Sequence, residues 1–142
     1  MNEDYYLKFP SVFKDKLIKG EIKFPQDTEF YYTSKIAYRC IIRKENDNTP
    51  VNRNDFKSYA ELCKTRAPRG GNYDTKNPNY YGCSLYLNRA SVENNLKLPK
   101  PGKRIAKVCV KQEGGPIQVN VDTQHVCWWL FETYNEFEAS IE

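Results

Sequence analysis

The sequence predicts one α+β domain over residues 1–142, a mainly antiparallel sheet of about five strands with short helices packed on it. Three observations carry this expectation. The chain's 142 residues are too few for two separate cores of roughly 100 residues each. Stretches of period-two alternation outnumber stretches of helical period. The strand patterns crowd into the last third, separated only by short turns, which favours antiparallel pairing over crossovers.

The elements follow in order. Pro10-Ser11-Val12-Phe13 opens a helical pattern that places Phe13 and Leu17 on one face, and Gly20 supplies its stop. Residues 29–32, Glu-Phe-Tyr-Tyr, read as extended. From Lys35 to Arg43, Ile36, Tyr38, Cys40 and Ile42 alternate with Ala37, Arg39 and Ile41, the clearest strand of the first half. Asn54 then caps an expected helix in which Phe56, Tyr59, Ala60 and Cys63 recur at helical spacing. Residues 65–80, with two prolines and Gly70-Gly71, form a loop of unusual length. A strand over Tyr81–Asn88 and a helical turn over Ser91–Leu96 come next, followed by the proline-stiffened connection KLPKPGKR. The last third reads as an antiparallel meander of Ile105–Lys111, Ile117–Val121 and His125–Phe131. Thr133 and Glu136 have capping-box spacing for a terminal helix with Tyr134, Phe137 and Ile141 on one face.

Composition narrows the function classes. A hydrophobic content of 39% with 28% charged residues is globular, and no apolar run approaches a membrane span. The start, MNEDYYLKFP, carries acids where a secretory signal carries bases, so a cytoplasmic location is expected. The five cysteines, at 40, 63, 83, 109 and 127, include no CxxC pair, and with His125 the sole histidine no metal site is expected. Their apolar surroundings, as in YRCII and AKVCV, suit reduced, buried, structural thiols. Gly70-Gly71 and Gly114-Gly115 lack the Lys-Ser/Thr of a phosphate-binding loop and read as turns.

Charge is unevenly distributed. Residues 1–61 hold 11 bases and 10 acids, residues 62–112 hold 11 and 2, and residues 113–142 hold none and 6. Either the acidic end covers the basic middle or the middle presents a face to an anionic partner. Arg66, Arg69, Lys97, Lys100, Lys103, Arg104 and Lys107 are the candidate contacts, with Tyr73 and Tyr80 as stacking surface for unpaired bases. The leading expectation is therefore a non-enzymatic interaction module that needs no cofactor and engages an acidic protein surface or a nucleic acid. The Lys-, Asn- and Tyr-rich composition suits an inhibitor or regulator from a bacterial mobile element or phage. His125 opens HVCWWLF on a strand with apolar residues on both faces, and is a hydrogen-bonded structural histidine or a candidate polar site. Trp128 and Trp129 must face opposite sides of that strand, either each beneath a covering layer or with one exposed as a stacking platform for a base or a partner side chain.

A second expectation comes from Arg39 in its strand, Ser84 in Gly82-Cys83-Ser84-Leu85-Tyr86, and Glu113 after a third strand. In order and spacing these resemble the Arg, Ser and Glu of ADP-ribosyltransferase folds. The resemblance implies that Arg39 and Ser84 hold NAD and that Glu113 stabilises a developing oxocarbenium sugar. It departs from the family's pattern in that Gln112-Glu113 lacks the spaced Gln/Glu-x-Glu and Ser84 lacks its flanking Thr-Ser. Convergence of the three residues on one cleft would discriminate this enzyme, or a degenerate relative, from the module.

Overall fold

A computed structural model describes residues 3–142. Two helices lead, α1 over Glu3–Tyr6 and α2 over Ser11–Ile18, the second ending before Gly20, whose φ of +72° suits a residue without Cβ. β1 (Lys35–Ile42), β2 (Cys83–Tyr86), α3 (Arg89–Leu96), β3 (Lys103–Val110), β4 (Ile117–Asn120), β5 (His125–Trp128) and β6 (Ala139–Ile141) follow. The strands form one six-stranded sheet, ordered β4-β5-β2-β1-β3-β6, in which every neighbouring pair is antiparallel. Thus the α+β class holds, with one strand more than the sequence suggested. Among the described residues no helix is long and apolar enough to cross a membrane.

Each face of the sheet carries its own core. Ala37, Cys83, Leu85, Val108, Val110, Val126 and Trp128 bury one face together with Phe56. Cys127 and Trp129 bury the other beneath Phe9, Phe13, Leu17, Ile22, Ala60 and Tyr81. The adjacent tryptophans are each 0% exposed and hydrogen-bonded, Trp128 Nε1 donating to the Gly115 carbonyl and Trp129 Nε1 to that of Pro78. Burial of the thiols is only partial: Cys83 and Cys127 are buried, Cys40 and Cys109 half-buried, and Cys63 is exposed.

Three expected elements differ. The meander does not form: β4 and β5 make a hairpin, but β3 lies across the sheet between β1 and β6. Lys103–Val110 finds in β1 a partner of equal length that pairs at all eight positions, whereas β4 is only four residues long. The terminal helix is replaced by β6, which closes the free edge of β3 through Ala106, Lys107 and Val108. So short a helix is marginal in water, and strand pairing also leaves Tyr134 and Phe137 free to pack on Trp128. The helix expected from Asn54 is two separate turns. Asn52 and Asp55 cap each other reciprocally at the start of a 3₁₀ turn over Arg53–Phe56. Ser58 and Glu61 repeat the arrangement, Glu61 N donating to Ser58 Oγ and Ser58 N to Glu61 Oε1. The second turn stops at Cys63, whose φ is +56°.

The same segment explains an irregularity in the sheet. Phe56 belongs to one core and Ala60 to the other, so residues 57–59 pass from face to face. Beside them β1 and β2 diverge, with Tyr38↔Tyr86 their one register pair. Arg39 fills the divergence: its Nε donates to the Asp55 carbonyl at 2.8 Å, Nη1 to that of Ser84 at 2.7 Å and Nη2 to that of Lys57 at 3.4 Å. Side-chain donors here do what a ladder does elsewhere.

Candidate functional site

The divergence of β1 and β2 opens a cleft made of two cavities, about 350 and 260 Å³, with Arg39, Lys57, Tyr59 and Ser84 as common walls. Volumes of this order suit small ligands and cofactors. The larger cavity adds Asp55, Lys64, Tyr86 and Lys103, and the smaller adds Ser58, Asn79, Gly82 and His125. Asp55 is the one carboxylate in either lining. Its charge is already matched, because Arg43 Nη1 and Nη2 donate to its two oxygens at 2.7 and 2.8 Å. Arg39, by contrast, donates to backbone carbonyls and has no carboxylate partner, and Lys57, Lys64 and Lys103 form no ion pair among the described residues. The cleft is cationic, with the phenol rings of Tyr59 and Tyr86 in its wall.

Register brings one further pair together. On β2 and β5, Ser84 stands opposite Cys127 and Tyr86 opposite His125, so Ser84 and His125 are diagonal neighbours on one face. Ser84 Oγ and His125 Nε2 lie 2.6 Å apart and share a hydrogen. Burial lowers the His125 pKa from its ordinary 6.5, so the imidazole is neutral at pH 7. The neighbouring Tyr86 ring makes a T-shaped contact with it at 5.3 Å between centroids. His125 and Asn79 also line a separate polar cavity with Asp27, Gln118 and Asn120.

The residues singled out by sequence divide accordingly. Arg39 and Ser84 meet in the cleft, and His125 joins them there. Glu113 does not: exposed in the turn after β3, it lines an open groove with Tyr5, Phe30, Tyr31 and Phe131. Lys103 reaches the cleft rim, while Lys107 lies farther along the same face of β3 and Arg104 on the opposite face. Lys97 and Lys100 are exposed between α3 and β3. Arg66 and Arg69 are exposed on the 65–73 loop, which is ordered by an Arg66↔Asn72 bridge and by the Tyr73 N–H donating to the Thr65 carbonyl. Tyr73 stacks on Tyr59 at 4.4 Å between ring centroids, with Tyr80 beside it at 5.9 Å, so this loop abuts the cleft. The acidic end covers the basic middle in part, through Lys111–Glu138 and Arg89–Glu142.

Sequence reasoning missed Lys57, Tyr59 and Asn79, and it did not join Ser84 to His125. The Ser58-x-x-Glu61 spacing was a readable sign that the chain turns there. Among the described residues no three His, Cys, Asp or Glu side chains gather as metal ligands. Compared with protein-family models, curated proteins and solved structures, the chain matches none.

Proposed function

We propose that the cleft binds a dinucleotide of the NAD type through Arg39 and Ser84, the two of the three ADP-ribosyltransferase-like residues that meet there, while Glu113 lies in a different groove. The observation that carries this reading is the meeting of Arg39 and Ser84, from neighbouring central strands, in one cleft. The ligand's chemistry fits the walls. A pyrophosphate takes the unopposed charge of Arg39, Lys57 and Lys103, and the tyrosine rings offer stacking surface to a base. Calorimetric titration with NAD, ADP-ribose and AMP tests it. Saturable binding of NAD is expected, weakened about tenfold or more by Lys57→Gln, since a charge-assisted hydrogen bond contributes about 1.5–3 kcal/mol. Absence of binding heat, together with an unchanged melting temperature at millimolar NAD, would refute it.

The interaction module remains as a second reading because Arg66, Arg69, Lys97, Lys100, Lys103, Arg104 and Lys107 have no carboxylate partner among the described residues. The loop tyrosines beside them favour single-stranded nucleic acid over an acidic protein. On that reading the protein acts in the cytoplasm, where a reducing environment keeps the exposed Cys63 as a thiol. Oligonucleotide affinity would then fall steeply with salt, and no binding at low salt removes this reading.

A further inference from the structure

We propose that Ser84 is a nucleophile with His125 as its base, and that it attacks C1′ of the nicotinamide ribose so that the chain comes to carry ADP-ribose on its own serine. The inference rests on the dinucleotide reading above and adds a reaction to it. A nucleophile and its base belong within about 2.6–3.2 Å of one another, and Ser84 Oγ lies 2.6 Å from His125 Nε2. Both side chains line the smaller cavity, where Arg39 and Lys57 stand ready for the phosphates. The imidazole is uncharged, and its Nε2 can receive a proton once the ring hydrogen sits on Nδ1.

The choice of electrophile follows from what the cleft offers. A developing oxocarbenium sugar needs a nearby negative charge, and the only carboxylate in the lining, Asp55, is committed to Arg43. Glu113, the residue expected in that role, lines a different groove. Electron density must therefore come from the attacking oxygen, which favours a displacement with bond formation to Ser84. Acyl transfer would further require donors around an oxyanion and an acid to protonate the departing alkoxide. Nicotinamide requires neither, because it departs as a neutral molecule.

The step balances with NAD and the chain alone. As the Oγ–C1′ bond forms, the C1′–N bond to nicotinamide breaks, and its electron pair returns to the pyridinium nitrogen and cancels that positive charge. The serine proton passes to Nε2 of His125 and from there to solvent. Nothing is oxidised or reduced. Serine is left as the O-glycoside of ADP-ribose.

Incubation with NAD followed by intact mass, peptide mapping and nicotinamide quantification tests the step. One ADP-ribose increment is expected on the peptide containing Ser84, with one nicotinamide released per chain. Ser84→Ala should abolish both. His125→Gln, which retains a hydrogen-bonding partner for Ser84 but no base, should slow the adduct about 100-fold or more at saturating NAD, the range of general-base assistance. If NAD binds and no adduct forms, or if the adduct maps elsewhere or survives Ser84→Ala, the nucleophile proposal is overturned and the dinucleotide reading stands. If NAD does not bind, both fall. Mapping on the unsubstituted chain separates these outcomes even where a variant fails to fold.

Discussion

Removing the carboxylate of Asp55 should cost the fold about 3–5 kcal/mol, because it strands a buried cation. The Arg43 guanidinium makes five hydrogen bonds: two to Asp55, and one each to the carbonyls of Ile42, Thr49 and Pro50. The side chains of the pair are only 7% and 8% exposed, so solvent cannot replace the lost counter-charge. Asp55 Oδ2 also accepts the Asn52 N–H, and Asp55→Ala therefore uncaps the 3₁₀ turn as well. Against a total stability of about 5–15 kcal/mol the loss is large, and the melting temperature should drop by roughly 10–20 °C. Equilibrium urea unfolding measures it, with an unchanged m-value as the sign that the native state keeps its compactness. Arg43→Met combined with Asp55→Leu should recover only part of the loss, since it removes the stranded cation but leaves the Ile42, Thr49 and Pro50 carbonyls and the Asn52 N–H without these partners. A loss below about 1 kcal/mol for Asp55→Ala would refute the argument that this ion pair is closed to solvent.

Two further perturbations test the structure away from that pair. His125 has a folded-state pKa below 6.5 because it is buried, so the unfolded chain protonates first and stability falls as pH drops through 6.5 towards the folded value. Urea midpoints at pH 7.5 and 5 should therefore differ less in His125→Gln than in the parent, and equal differences would contradict the burial. Gly115→Ala should destabilise by about 3 kcal/mol or more. A Cβ there would lie 2.0 Å from the Trp129 carbonyl oxygen at a φ of +137°, and a melting temperature within a few degrees of the parent would show that the turn relaxes instead.

What sequence could show was local. The alternation of Ile36 to Ile42 and the Phe13/Leu17 spacing each report on a single element against a single surface, and both elements formed as expected. The opposed tryptophans followed from the strand period alone. Strand order did not, because β3 could pair with β1 or β4 on pattern, and the eight-position match to β1 is a comparison between segments some 70 residues apart. The 56/59/60/63 helical spacing misled for a different reason: Asn52/Asp55 and Ser58/Glu61 are two starts, and a period continued across them by coincidence of composition. The site was legible as residues but not as an arrangement. Arg39, Ser84 and His125 each stood out singly, yet the bond between Ser84 and His125 depends on cross-strand register over 41 positions, and Glu113 was removed from the cleft by the crossing of the chain after β3.

The solitary pairing of Tyr38 with Tyr86 has a mechanical consequence. The sheet amounts to two three-strand ribbons, β4-β5-β2 and β1-β3-β6, joined along a seam that lacks a continuous ladder. Arg39 is the tie across that seam, rooted in one ribbon and bonded to Ser84 of the other. The two ribbons are held to one another by these few side-chain bonds and by the core they share, in which Ala37, Val108 and Val110 of one pack with Cys83, Leu85, Val126 and Trp128 of the other. Lys103 stands on one ribbon and His125 on the other, so a ligand long enough to touch both would couple the two ribbons, and occupancy would raise the stability of the sheet as a whole.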